Sequence, residues 1–145
     1  MKKISSGAIL LCGLALLWTM FIWSNSAKSA VVSSGQSLQV LDLLEPFLLS
    51  LGLDEDTLHY LVRKAAHMAE FALLGAFWAG GMRGWGCRFF PPFTLCFLTA
   101  LVDETIQLYF PGRSGQITDL WVDLAGVALG ILAAALIGRW LRKRK

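Results

Sequence analysis

Long apolar stretches recur four times along the chain, at residues 4–23, 65–82, 89–110 and 119–138, with polar or basic connections between them. A helix needs about 20 largely apolar residues to cross the hydrocarbon core of a bilayer, and each stretch approaches that length. The pattern predicts an all-α fold: a polytopic membrane bundle of about four transmembrane helices, forming one domain over residues 1–145. The connection at 24–64 is the longest. Its first part, 24–37, is small and polar and reads as extended chain. Within 38–53, Val40, Leu41, Leu44, Leu48 and Leu51 fall near helical spacing. Asp42 and Glu45 lie on the opposing side, and Pro46 marks a break or a turn. That outer loop therefore carries a candidate amphipathic helix, either lying on the outer membrane surface or packed on the bundle. Asp54 followed by Glu55 and Asp56 is a helix start, an Asp cap with acids near the positive end of the dipole. The second helix thus begins well outside the membrane.

The first stretch follows Lys2 and Lys3 and precedes Ala27-Lys28-Ser29, features shared with secretory signals. Its apolar run exceeds the usual core of roughly 7–15 residues in such signals, so a retained helix is expected. Small residues recur at four-residue spacing at Ala72, Ala76 and Gly80 and again at Gly126 and Gly130, faces that let helices approach closely. Contact within the chain is the expected use of these faces, and a homo-oligomer stays open. Pro91 and Pro92 suit the entry to the third helix, where missing amide donors matter least.

Composition sharpens this picture: 56% of residues are hydrophobic and 16% charged, against about 45–50% and about 25% in soluble domains. Charge matters through its placement. With the N-terminus inside, Lys2, Lys3, Arg83, Arg88, Arg139, Arg142, Lys143, Arg144 and Lys145 are cytoplasmic, and Lys28, Arg63, Lys64 and Arg113 are outside. That bias follows the positive-inside rule and puts both termini in the cytoplasm. Trp23 and Trp121 then mark the outer interface, and Trp85 and Trp140 the inner one. The basic tail at 142–145 is short and reads as a topology anchor, so nucleic acid is not an expected partner. Membrane lipids are. Cys12, Cys87 and Cys96 make no pairing framework and no metal-binding spacing, and they read as unpaired thiols.

Candidate chemistry lies at one depth. His59, Arg63, His67 and Glu70 are spaced four, four and three apart and share one stripe of the second helix. Asp103, Glu104 and Gln107 sit near the end of the third helix. Arg113 follows in the loop, and Asp119 and Asp123 stand on the first turns of the fourth. Alternating helix directions bring all of these within roughly 10 Å of the outer face, counted by helical rise. Charges inside a bilayer cost about 2.5–3.5 kcal/mol each even on lenient scales and normally face a partner or a water-filled cavity. Arg63, Lys64, His67 and Arg113 are expected to balance Glu70, Asp103, Glu104, Asp119 and Asp123 in a shared pocket. The alternative is structural: hydrogen bonds and ion pairs that hold the bundle together, with Asp119 as a helix cap and Arg63 and Lys64 as interfacial anchors.

Three blocks carry a family resemblance. R-K-A-A-H-M-A-E-F at 63–71, D-E-T-I-Q-L-Y-F-P-G-R-S-G at 103–115 and T-D-L-W-V-D-L-A-G at 118–126 resemble those of VanZ-like membrane proteins. I-W-S-N-S-A-K-S-A at 22–30 is similar to the Ser-rich stretch after that family's first helix. The resemblance implies a bacterial cell membrane protein of a Gram-positive lineage. The family's namesake is linked to resistance to teicoplanin, a lipoglycopeptide aimed at cell-wall precursors. Carried over by motif, the binding residues are Arg63, Lys64, His67, Glu70, Asp103, Glu104, Gln107, Arg113, Asp119 and Asp123.

Three function classes remain. One is an envelope factor whose outward pocket binds a lipid-linked or lipoglycopeptide ligand. A second is an intramembrane enzyme acting on a lipid headgroup or cell-wall precursor, with buried carboxylates and His67 moving protons. A transporter is the third, disfavoured by four helices without a detectable inverted repeat. No cofactor is expected, and no standard ligand spacing marks a metal.

Overall fold

The structure, a computed structural model, describes residues 5–28, 35, 54–85, 89–113 and 115–144. The predicted amphipathic segment at 38–53, Cys87 and Ser114 lie outside the described residues.

Among the described residues the chain forms four long helices and no strand: α1 (Ser6–Ser26), α2 (Glu55–Met82), α3 (Phe90–Gln107) and α4 (Ile117–Lys143). Their ends follow local chemistry. Ser5 caps α1 by accepting the Ala8 amide at 3.2 Å. α2 passes through Gly80-Gly81 into a single 3-10 turn, Arg83–Trp85. α3 opens with Pro91 and Pro92 in its first turn, where their lack of an N–H removes no intrahelical bond. After α3 the chain reverses through Gly112, whose φ of 75° is a left-handed conformation that glycine adopts without strain. Arg142 and Lys143 end α4, where cations suit the negative pole of the helix.

Asp54 caps α2 as its sequence suggests. It accepts the Thr57 amide at 3.0 Å and the Thr57 hydroxyl at 2.8 Å. Those bonds hold its carboxyl below the ordinary aspartate value. A depressed folded value means the cap is complete above the unfolded pKa of about 3.9 and is lost as pH falls through the lower folded value. The protection of the Thr57 amide, taken relative to its intrinsic exchange rate at each pH, is therefore expected to fall as pH drops through that window. In Asp54→Asn, which still caps but does not titrate, that loss of protection should vanish; its persistence would place the titrating group elsewhere.

Backbones meet most closely along the α2–α4 seam. A Cβ on Gly126 or Gly130 would run into the carbonyl oxygens of Met68 and Ala72, and one on Gly75 would lie 2.7 Å from the Val127 oxygen. The Gly126/Gly130 face is thus occupied by α2 of the same chain. Of the small residues predicted to line α2, Ala72 faces α4, whereas Gly80 meets Leu11 of α1. Gly81 packs on Ala8 and Cys12 of α1. At the end of the bundle marked by the α2 C-terminus, Arg83 lies over Gly138 and donates to the Ala134 carbonyl at 3.1 Å.

The packed interior is small and partly polar. Ala15, Ile22, Phe71, Leu74, Cys96, Ala100, Val127 and Ile131 form its apolar part, while Asp103, Gln107, Asp119 and Asp123 are also buried. The periphery is large and apolar: Leu10, Leu17, Met20, Leu132 and Ile137 are each more than half exposed. This inverts the arrangement of a soluble domain, in which acids are almost never fully buried and broad apolar surface is rare. By length and composition α1 and α4 are long and apolar enough to cross a membrane, and only 22% and 28% of their apolar windows are buried. α2 and α3 interrupt their apolar runs with the charged residues that build the site.

Candidate functional site

The site forms where the end of α1, the first half of α2, the end of α3 and the start of α4 converge. Its centre holds His67, Glu70, Asp103, Gln107 and Asp123. Asp103 is fully buried and accepts the Ser26 hydroxyl at 2.6 Å and the Gln107 amide at 3.1 Å. Glu70 accepts the Asn25 amide at 3.3 Å. His67 Nδ1 lies 3.5 Å from Asp123 Oδ1. That approach lacks hydrogen-bond geometry, and neither Nδ1 nor either Asp123 oxygen finds a hydrogen-bond partner among the described residues. Orphaned buried groups of this kind are rare and call for a physical reason.

Beside this centre stands an ion-pair group. Lys64 binds Asp119 directly, and the Arg63 guanidinium approaches the other Asp119 oxygen at 4.0 Å. The Lys64 ammonium also lies 5.0 Å from the Tyr60 ring centroid. Asp119 is not the α4 cap: Gln116 holds that position, and Asp119 turns inward from the first turn to meet α2. Since the side chain of Lys64 is 13% exposed and that of Asp119 is 2% exposed, the pair sits largely out of water.

Glu104 and Arg113 brace the loop. Glu104 Oε2 accepts the Gln116 amide at 2.7 Å, tying α3 to the start of α4. Arg113 donates to the carbonyls of Asn25 at 3.1 Å and Lys28 at 3.2 Å, so it secures the end of α1. Burial and the neighbouring Arg63 hold this guanidinium below the usual arginine value, yet arginine stays charged in proteins. Arg113 makes its direct hydrogen bonds to these carbonyls and meets Asp103, Glu104 and Glu70 only through longer-range charge. Its fork matches two carbonyl oxygens exposed at a helix terminus, which lack intrahelical partners.

The residues that motif and spacing miss lie on α1. Asn25 and Ser26 contact Glu70 and Asp103, and both fall in the 22–30 stretch already similar to the family pattern. Polar residues directly after an apolar run were the available signal. Trp18 and Trp23 donate their indole N–H groups to the carbonyls of Glu70 at 2.9 Å and Thr99 at 3.2 Å, each using the spare lone pair of a helical carbonyl. Trp23, partly buried, also packs against the core. Trp121 is exposed. His59, on the same stripe as His67, takes no part in the described contacts of the site.

Chemically, the centre offers buried carboxylates and an imidazole drawn from three helices. The family model for VanZ/LLP1 matches residues 11–138, which include every residue of the site. The chain belongs to the VanZ/LLP1 family. No curated protein and no solved structure matches it. Family and exposed apolar helices together make this VanZ/LLP1 chain a membrane protein. Its buried polar centre is thus a group of ionisable residues enclosed by four packed helices.

Proposed function

We propose that this VanZ/LLP1 protein is a four-span cell membrane protein with both termini cytoplasmic, and that its outward-facing polar centre binds the head of a lipid-linked or amphiphilic ligand. Binding there alters access of glycopeptides such as teicoplanin to the cell surface. One observation carries the reading: charged and amide side chains from all four helices converge at one end of the bundle, while Arg83 and the basic end of α4 occupy the other. The bias of basic residues along the sequence supports placing the first end outside. A site beneath the outer lip of the bilayer lies where lipid-linked wall precursors and lipoglycopeptides meet the membrane.

Deleting the gene is expected to raise susceptibility to teicoplanin and to change the amount of labelled teicoplanin held at the cell surface. A wild-type copy restores both, and an Asp123→Asn copy restores neither. If deletion alters neither susceptibility nor surface binding, the glycopeptide part of the reading is discarded. In the same cells, a membrane-impermeant thiol reagent should label Arg113→Cys from outside and Arg144→Cys only after lysis. The reverse labelling would turn the topology over.

A further inference from the structure

Two buried carboxylates of the centre, Asp103 and Asp123, and the partly buried imidazole of His67 come from α3, α4 and α2, and one ligand atom from each lies within 4.8 Å of the others. From this juxtaposition we propose that the protein binds a divalent transition-metal cation, zinc or manganese, through His67, Asp103 and Asp123.

The geometry supports the site on two independent grounds. First, the donors converge. A zinc-class ion sits about 2.0–2.2 Å from imidazole nitrogen and carboxylate oxygen, so its ligand atoms stand roughly 3–4 Å apart. Closing the present cluster onto an ion requires side-chain movement on the order of an ångström. Secondly, Asp123 is fully buried, and both its oxygens lack a hydrogen-bond partner among the described residues, as does the facing Nδ1 of His67. A carboxylate placed this way is strongly disfavoured unless something positive meets it. His67, a cation only when protonated, faces Asp123 at 3.5 Å, while Lys64 and Arg63 pair with Asp119 and Arg113 is engaged by carbonyls.

Donor chemistry narrows the ion. One imidazole with two carboxylates suits zinc or manganese, whereas calcium and magnesium favour all-oxygen sets. Three protein ligands leave at least one position free, the pattern of a zinc site that exchanges water. The surroundings match an outer shell that fixes its ligands. Ser26 and Gln107 each donate to one oxygen of Asp103, orienting it and leaving a lone pair on each. Spacing along the chain hides this site because each ligand stands on a different helix.

The test uses the full chain in detergent, stripped with a chelator and titrated with zinc or manganese without any amphiphile present. Its outcome is therefore separate from the teicoplanin measurements. One ion per chain is expected by elemental mass spectrometry. Asp123→Asn should weaken binding by about 100-fold or more, since even outer-shell changes cost about 10–100-fold. Asp54→Asn, far from the cluster, should bind as wild type does. Wild-type binding well below one ion per chain, or equal affinity in Asp123→Asn, overturns the proposal. A measurement needing no variant stands beside these: the electron spin-echo spectrum of the manganese-loaded wild type should carry modulation from one directly bound imidazole nitrogen. Its absence also overturns the site.

Discussion

Gly130→Ala is expected to loosen the α2–α4 seam and lower the stability of the whole bundle by at least about 1–3 kcal/mol, the usual range for overpacking. The added carbon would meet the Ala72 carbonyl oxygen directly, with the carbonyl carbon 2.7 Å away and the Cα 3.0 Å away. These are backbone atoms of a helix, which cannot turn aside as a side chain can. Relief requires the two helices to move apart, and Gly126 imposes the same constraint one turn earlier against Met68. Gly126→Ala with Gly130→Ala should therefore be worse than either alone. Gly13 of α1 is the control, because nothing lies within 4 Å of its virtual Cβ. Gly13→Ala should be neutral or stabilising, as glycine inside a helix costs roughly 0.5–1 kcal/mol relative to alanine. Thermal unfolding in detergent reads all of these, and similar melting of Gly130→Ala and Gly13→Ala would refute the close-packed seam.

Asp119→Ala should be the most damaging single change in the ion-pair group. It leaves the Lys64 ammonium, largely removed from water, facing no carboxylate at that position. Breaking a buried pair from one side typically costs about 3–5 kcal/mol. Arg63 softens the loss little, because its side chain is 39% exposed and sits at the limit of ion-pair range. Replacing both partners, Lys64→Met with Asp119→Leu, should recover most of the stability, since apolar substitutes for buried pairs are often neutral or stabilising. Equal damage in the single and double variants, read by denaturant unfolding in detergent, would mean that Asp119 acts through something other than Lys64.

Much of the fold was legible because apolar stretches of helical length recur four times and each is a helix, two of them, α1 and α4, long and apolar enough to cross a membrane. The site was legible in part because i, i+4 spacing puts Asp103 beside Gln107, and Arg63 and Lys64 lie one turn before His67. What spacing cannot express is pairing across helices. It grouped Arg113 with the cations that balance carboxylates, whereas the guanidinium goes to two main-chain oxygens of α1. It could not show that the Trp23 indole meets the Thr99 carbonyl of α3. It gave no role to Asn25 and Ser26, whose partners lie 45 and 77 residues away in the chain. Helix rotation decides each of these contacts. The close glycine seam sets that rotation for α2 and α4, while the two indole bonds set it for α1.

The attachment of α1 has a consequence for maturation. A peptidase cutting after Ala27, as it would after a secretory leader, would remove the hydroxyl held by Asp103, the amide held by Glu70 and one of the two oxygens gripped by Arg113. Processing at that point would not trim an address label; it would discard one wall of the polar chamber.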